Sequence, residues 1–137
     1  MPARIESYVH NSVIGVLVEI TYENEGSSRS KEFLCVTKDI AMHIAASRPA
    51  VVGASDLSED LRNNELSYTA KSLEGLSNAE KEEKLKEFNK LINERFCLLH
   101  QAFVKEPELS VGEKLAEVSS LLGDKIEIKR FIRWEAK

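Results

Sequence analysis

Two runs of apolar residues at the start of the chain alternate with polar positions in the way that β-strands do. The first run covers residues 4–10 (RIESYVH) and the second covers residues 13–21 (VIGVLVEIT). Only the polar pair Asn11-Ser12 separates them, and so short a break between two strands predicts an antiparallel hairpin. The first strand is part polar, which is typical of a strand at the edge of a sheet.

The second of these strands is apolar on both of its faces. One face carries Val13 and Leu17, and the other carries four β-branched residues: Ile14, Val16, Val18 and Ile20. A strand that is apolar on both faces needs cover on both sides. We expect helices to cover one side, and a second sheet or a partner subunit to cover the other.

Four helices are predicted between this hairpin and the last strand. A polar loop over residues 23–31 leads into the first helix, which Ser28 or Ser30 can cap. Arg48-Pro49 ends this helix, because proline disfavours the α conformation of the residue before it. Its apolar positions recur at helical spacing, at Phe33, Val36, Ile40 and Ile44. A weaker helix follows over about residues 58–73.

The third and fourth helices each begin with a capping box, in which a serine and a glutamate satisfy each other's backbone donors. Ser77 and Glu80 open a long helix with a strongly charged face, and Ser110 and Glu113 open a helix that Gly123 can close. The charged face is typical of a solvated surface with i,i+4 ion pairs, and the alternative is a projecting helical hairpin that contacts a partner. The apolar stripe of the long helix comprises Leu85, Phe88, Ile92, Phe96 and Leu99.

A last strand is predicted over residues 125–135, with four apolar residues on one face: Ile126, Ile128, Ile132 and Trp134. The order of elements is therefore β-β-α-α-α-α-β. Strands separated by a block of helices indicate an α+β fold. We expect one domain over residues 1–137, in which a small three-stranded antiparallel sheet (two N-terminal strands and one C-terminal strand) packs with about four helices.

Composition narrows the class of protein. The chain has 137 residues, 42% of them hydrophobic and 31% charged, which is ordinary for a soluble domain. The net charge of −4, without a long basic run, disfavours direct binding of nucleic acid. No apolar run is long enough to predict a membrane span, and residues 1–10 lack the apolar core of a signal peptide. Both cysteines, Cys35 and Cys97, are predicted to be buried thiols in a reducing compartment, which indicates the cytoplasm.

Candidate chemistry is sparse. No glycine-rich phosphate loop, CxxC pair or GxSxG motif is present. Asp39 and His43 share a helix face at i,i+4 spacing, which could be half of a metal site, although a locally paired structural histidine explains them better. Cys97 and His100 have the spacing of a nucleophile and its base, but no third group orients them. No cofactor or metal is expected, and the residues indicate a binding module rather than an enzyme.

Four stretches of the chain resemble the elongation factor Ts family of bacteria. The central pair, IGVLVEI at 14–20 and KDIAMHIAA at 38–46, resembles the strand and helix that flank a functional loop of that family. IESYVH at 5–10 is similar to the opening strand of the family, and CLLHQAFVK at 97–105 to its CLLEQPFVK segment. Residues 110–135 are similar to the family's closing helix and strand. The resemblance covers nearly the whole chain and is weakest over residues 50–90.

The resemblance implies both a fold and a function. It implies the core, or dimerisation, domain of a guanine nucleotide exchange factor for elongation factor Tu, acting without chemical catalysis. It also implies a homodimer to which the sheet contributes, with candidate residues Leu17, Ile128, Phe131 and Ile132. In the family, a TDFV tetrad in the loop disturbs the magnesium and nucleotide site of elongation factor Tu. That tetrad falls on Asn24, Glu25, Gly26 and Ser27, and the helix bearing Asp39 and His43 is expected to support the loop.

The chain departs from the family at two places. Glu25 keeps the acidic charge of the tetrad, but Gly26 replaces its phenylalanine and Ser27 its valine. The family also carries an N-terminal helical module, for which no room precedes the first strand, so we expect either an excised fragment or a naturally reduced relative. Two functions therefore remain open: an exchange factor for elongation factor Tu, and a dimerising interaction module of the same family without exchange activity.

Overall fold

The two ends of the chain meet in one antiparallel sheet. A computed structural model describes residues 1–137 and confirms the predicted α+β class, with strand order β1-β2-β5 in a three-stranded sheet. A two-stranded sheet, β3-β4, lies where only extended chain was predicted. In order, the elements are β1 (Ala3–His10), β2 (Ile14–Thr21), α1 (Lys31–Ser47), α2 (Glu59–Ser67), α3 (Asn78–Phe96), β3 (Ala102–Phe103), β4 (Glu106–Ser110), α4 (Val111–Leu122) and β5 (Glu127–Glu135).

The predicted hairpin is present, with β1 at the edge of the sheet and β2 at its centre. Its turn is one residue longer than the sequence indicated, because Val13 belongs to the turn and donates its N–H to the His10 carbonyl at 3.0 Å. Asn11 and Ser12 both have left-handed backbone conformations, with φ of 50° and 59°. Asparagine is one of the non-glycine residues that adopts this region most readily, which favours a tight turn here.

The prediction that Ile126, Ile128, Ile132 and Trp134 share one face is wrong. The register of β5 against β2 shifts between Glu19 and Ile20, where Glu19 pairs with Arg130 and Ile20 with Ile128. This β-bulge leaves one extra residue on β5, and an extra residue moves all following side chains to the opposite face. Ile126 and Ile128 are therefore buried, whereas Ile132 and Trp134 are exposed on the other side of the sheet.

One face of the sheet packs on helices α1 and α4, and this packing forms the main core. Residues on α1 at the predicted helical spacing contribute Phe33, Val36, Ile40 and Ile44, all at most 2% exposed. The helix α4 contributes Val111, Leu115 and Val118, and the inner face of β2 contributes Val16, Val18 and Ile20. The predicted capping boxes at Ser77 and Ser110 are both present.

The helices α2 and α3 form a hairpin with a small cluster of its own. Leu57, Ile92 and Cys97 make up this cluster, which is separate from the main core. Between the two helices, the Arg62 guanidinium donates to the side-chain carbonyls of Asn89 and Asn93 at 2.8 and 2.7 Å. The rest of α3 is mostly exposed, as predicted, and its ion pairs Lys84–Glu87 and Lys90–Glu94 are long, at 3.9 Å. Pairs of this kind contribute little to stability.

The two cysteines have different environments. Cys97 is fully buried, and this burial raises the pKa of its thiol, which keeps the sulfur protonated at neutral pH. The prediction that Cys35 is also buried is wrong, because its side chain is exposed. Successive residues of an α-helix are about 100° apart, so Cys35 points about 140–160° away from Phe33 and Ile40.

His43 is a structural histidine, but its partner is not Asp39. The imidazole is fully buried; Nε2 donates to Gln101 Oε1 at 2.9 Å, and Nδ1 accepts from the Val104 N–H at 3.2 Å. The Gln101 side chain in turn donates to the Arg95 carbonyl at 2.9 Å. The neutral ring therefore ties α1 to Gln101, which lies between α3 and β3, and to Val104, which lies in the turn after β3.

We predict that the stability of the protein decreases when the pH falls below about 6.5. Burial lowers the pKa of His43 from 6.5, against the opposing effect of the Gln101 hydrogen bond. The unfolded chain then binds a proton that the folded chain excludes, so the free energy of unfolding declines by at most about 1.4 kcal/mol per pH unit. Urea unfolding between pH 7.5 and 5.5 measures this slope.

His43→Leu is the test variant, and His100→Leu is its control because His100 is exposed. We expect His43→Leu to destabilise the protein at pH 7.5, because it leaves the buried Gln101 side-chain oxygen and the Val104 N–H without their partner, and to flatten the pH slope. His100→Leu should keep the slope. An unchanged slope in His43→Leu would show that another group titrates.

Candidate functional site

The loop between β2 and α1 presents a short exposed tip. Glu23, Asn24, Glu25 and Gly26 are exposed, whereas Ser27 is 7% exposed. The backbone turns at Gly26, which has φ of −62° and ψ of −36°, and a 3₁₀ turn follows over Ser27–Arg29. The predicted tetrad is thus divided: its first three residues face solvent, and its fourth is part of the support.

Backbone and serine hydrogen bonds give this loop a defined shape. The Ser27 N–H donates to the Asn24 carbonyl at 3.0 Å, and the Ser28 hydroxyl donates to the Glu25 carbonyl at 2.7 Å. The Ser30 hydroxyl accepts from the Phe33 N–H at 3.1 Å and donates to the Ser27 carbonyl at 2.8 Å. Ser30 is therefore the N-cap that the sequence left open between Ser28 and Ser30, and it joins the loop to α1.

Aromatic packing anchors both ends of the loop. Tyr22, directly after β2, and Phe33, in the first turn of α1, pack edge to face with ring centroids 5.5 Å apart. Both rings are buried, at 7% and 0% exposure. Such a pair stabilises a protein by about 0.5–1.5 kcal/mol beyond the burial of its apolar area. The two ends of the loop are therefore held together by one aromatic contact in the core.

A third support comes from the distant residue Asp124. Its Oδ1 accepts the Glu23 N–H and its Oδ2 accepts the Asn24 N–H, each at 3.0 Å. Burial acts to raise the pKa of this carboxyl group, but hydrogen bonds from the Ser27 side chain and from backbone N–H groups outweigh that effect and lower the pKa. The carboxylate therefore stays ionised at neutral pH, with both oxygens bound to the loop.

Asp39 and His43 do not support the loop directly. They follow the N-cap Ser30 by nine and thirteen residues, which places them about 13 and 20 Å along the helix axis. His43 faces Gln101 and Val104, and Asp39 is half-buried on the same helix. Asp124 was not predicted as a site residue, because its only local signal is its place after a helix-ending glycine.

Gly26 has room for a side chain. A Cβ atom built at this position meets nothing within 4 Å, and the backbone φ of −62° suits any residue. The glycine is therefore not required by the shape of the loop. The exposed tip carries two carboxylates, Glu23 and Glu25, and no apolar side chain.

The second candidate surface is the side of the sheet away from the helices, which we call the outer sheet face. Leu17 pairs across strands with Ile132, and both side chains are about half exposed, at 50% and 44%. Arg130 and Glu19 form an ion pair of 2.6 Å beside them. The other two candidates for self-association lie on the opposite side: Ile128 is buried in the core, and Phe131 packs against it. The apolar residues of the outer sheet face are Ile5, Val9, Leu17, Ile132 and Trp134.

No group of three or more histidine, cysteine, aspartate or glutamate side chains is arranged to hold a metal ion. None of the helices combines the length and apolar character needed to cross a membrane.

Comparison with known proteins gives one family. The family model described as "Elongation factor TS" matches residues 2–137. The chain is 40% identical to "Elongation factor Ts" of Alkaliphilus oremlandii over 137 residues, covering 96% of this chain and 62% of that protein. It is 37% identical to the protein of the same name from Rubrobacter xylanophilus over 139 residues, covering 96% of this chain and 69% of that protein. The chain thus spans about three fifths to two thirds of the length of these relatives.

We predict that Ser30→Ala loosens the loop as well as the start of α1. The substitution removes the cap of α1 and the bond to the Ser27 carbonyl, and the loss of a serine cap destabilises a protein by about 1 kcal/mol. Urea unfolding measures the stability, and amide hydrogen exchange of residues 23–29 measures the loop. Ser77→Ala is the matched control, because it removes the corresponding cap of α3. Equal loosening of the loop in Ser77→Ala would contradict a specific role of Ser30.

Proposed function

Because the chain belongs to the elongation factor Ts family, we propose that it binds elongation factor Tu and promotes guanine nucleotide exchange on it. The observation that carries this proposal is the exposed loop tip at Asn24, Glu25 and Gly26, anchored on three sides at the position of the family's tetrad. This function would place the protein in the cytoplasm, where translation takes place.

The mechanism follows from thermodynamic linkage. A protein that binds the nucleotide-free state of its partner more tightly than the nucleotide-bound state must lower nucleotide affinity by the same factor, about 5- to 150-fold for typical couplings. The loop tip would insert beside the magnesium and nucleotide site, with the Glu25 carboxylate supplying negative charge close to the phosphates. A preformed loop supports this role, because little ordering entropy is then lost on binding.

A second function is favoured by the absence of a side chain at Gly26. Without an aromatic ring the tip has no apolar group to insert, and losing a buried phenylalanine side chain costs about 3–5 kcal/mol in protein cores. That loss equals or exceeds a typical coupling of about 1–3 kcal/mol. The alternative is therefore an interaction module that binds elongation factor Tu without accelerating nucleotide release.

We also propose that two copies of the chain associate through the outer sheet face. This face exposes large apolar side chains, including Trp134 at 72% and Ile5 at 62% exposure. Contiguous apolar patches on a protein surface are typical of interaction sites, and sheets pack face to face when both present such side chains. A dimer of standard interface size would bury about 800 Å² on each partner.

We predict that the protein accelerates release of a fluorescent GDP analogue from elongation factor Tu by about tenfold or more, equivalent to about 1.4 kcal/mol in the barrier. Stopped-flow fluorescence at micromolar protein measures the rate. Glu25→Lys should reduce the acceleration because it reverses the charge at the loop tip. Glu74→Lys, at an exposed position far along the chain, is the matched control and should have no effect.

Gly26→Phe separates the two functions. The added ring fits without backbone strain, so this variant should accelerate release beyond the wild type, whereas Gly26→Ala should not. Ser27 is left unchanged because it is buried, at 7% exposure. The interaction module would be established if the wild type bound elongation factor Tu without accelerating release of the GDP analogue, whereas Gly26→Phe accelerated that release. No effect of Gly26→Phe on a bound complex would contradict the insertion of a ring at this position.

We predict a dimer at tens of micromolar that Ile132→Glu dissociates, because the substitution would bury an unpaired carboxylate between two apolar faces. Light scattering measures the mass. Leu121→Glu is the matched control: Leu121 is 67% exposed on α4, away from the outer sheet face, and its substitution should leave the dimer intact. A monomeric mass for the wild type at this concentration would refute the proposed dimer.

A further inference from the structure

Asp124 contacts the first two residues of the loop through their backbone. The two N–H groups that its oxygens accept belong to consecutive residues, Glu23 and Asn24, and the two distances are equal at 3.0 Å. A carboxylate that accepts two backbone N–H groups sets the orientation of the peptide between them, whatever side chains those residues carry. Asp124 thus helps to set the shape of the loop, while the exposed side chains of the tip determine its chemistry.

Asp124 is itself fixed to the end of α4. Gly123 ends that helix in the left-handed conformation, with φ of 61°. The Asp124 N–H then donates to the Ser119 carbonyl at 3.1 Å, and the Ile126 N–H donates to the Ser119 hydroxyl at 3.3 Å. Because the other face of α4 is buried against the core, the carboxylate is held on a rigid element.

We propose that Asp124 is the positioning residue of the loop: its carboxylate holds the backbone of Glu23 and Asn24 so that Glu25 and Gly26 project in the shape that binds the partner. This inference rests on the proposed binding of elongation factor Tu through the same loop. Asp124 is 9% exposed and bound on both oxygens, so it acts on the partner only through the loop.

Asp124→Asn tests the proposal with little change of shape. An amide has one acceptor oxygen, so the variant keeps at most one of the two hydrogen bonds. Its NH₂ group then faces the other backbone N–H, which is also a donor. We expect amide exchange of Glu23 and Asn24 to rise about tenfold, since hydrogen bonds to charged groups are among the stronger ones, while exchange in β2 stays unchanged. Asp56→Asn is the matched control, because Asp56 accepts the Gly53 N–H at 2.9 Å in a different turn.

Binding to elongation factor Tu provides the second measurement. We expect Asp124→Asn to weaken binding about tenfold, because only the fraction of molecules with the correct loop shape can bind. A double-mutant cycle distinguishes positioning from simple destabilisation. Glu25→Lys should have a smaller effect in the Asp124→Asn background than in the wild type, and an unreduced effect in the Asp56→Asn background.

Each outcome of these measurements decides the proposal. The proposal would be overturned if amide hydrogen exchange of Glu23 and Asn24 were unchanged in both Asp124→Asn and Asp124→Ala. It would also be overturned if the effects of Asp124→Asn and Glu25→Lys on binding were additive in the double-mutant cycle. If wild-type protein does not bind elongation factor Tu, the proposed function fails, and with it the role of Asp124 in binding. Amide hydrogen exchange of the isolated protein would then still decide whether Asp124 helps to set the shape of the loop.

Discussion

The antiparallel pairing of β2 with β5 is the constraint on which the rest of this structure depends. It joins segments about one hundred residues apart, and because the strands are antiparallel, the last residue of β2, Thr21, lies beside the first residue of β5, Glu127. The loop that leaves β2 and the turn that enters β5 are therefore neighbours. This adjacency brings Asp124 within 3.0 Å of the Glu23 and Asn24 backbone, and it gives an exposed loop a rigid support from a distant part of the chain.

The structure separates the shape of the loop from its chemistry. The supports are the Tyr22–Phe33 contact, the Ser30 cap and the Asp124 carboxylate, and none of them involves the side chains of Asn24, Glu25 or Gly26. Side chains at the tip can therefore change without loss of the loop conformation. The resemblance places Gly26 where the family has an aromatic residue, and a loop supported in this way needs no ring at that position to keep its shape.

Local sequence signals predicted most of the fold. The hairpin, the four helices, both capping boxes and the αL glycine at Gly123 depend on residues within a few positions of one another, and all are present. Apart from the exposure of Cys35 and the longer turn at Val13, the errors concern contacts that are distant in sequence. The bulge in β5 depends on its register with β2, His43 pairs with Gln101 fifty-eight residues away, and Asp124 binds the loop across one hundred residues. Periodicity carries no information on such pairs, so the support of the candidate site could not be predicted, whereas its place between a strand and a helix could.

The bulge in β5 also determines which surfaces are free for partners. Without it, Ile132 and Trp134 would point into the core beside Ile128, and the outer sheet face would lack its central apolar residues. With it, Leu17 and Ile132 form a cross-strand pair on that face. Leu17 lies five residues before Tyr22, about 17 Å along the strand direction, and Trp134 and Val9 lie farther still from the loop. The proposed contact between two copies through this face and the proposed insertion of the loop into elongation factor Tu would therefore use different parts of the molecule, so one interaction would not exclude the other.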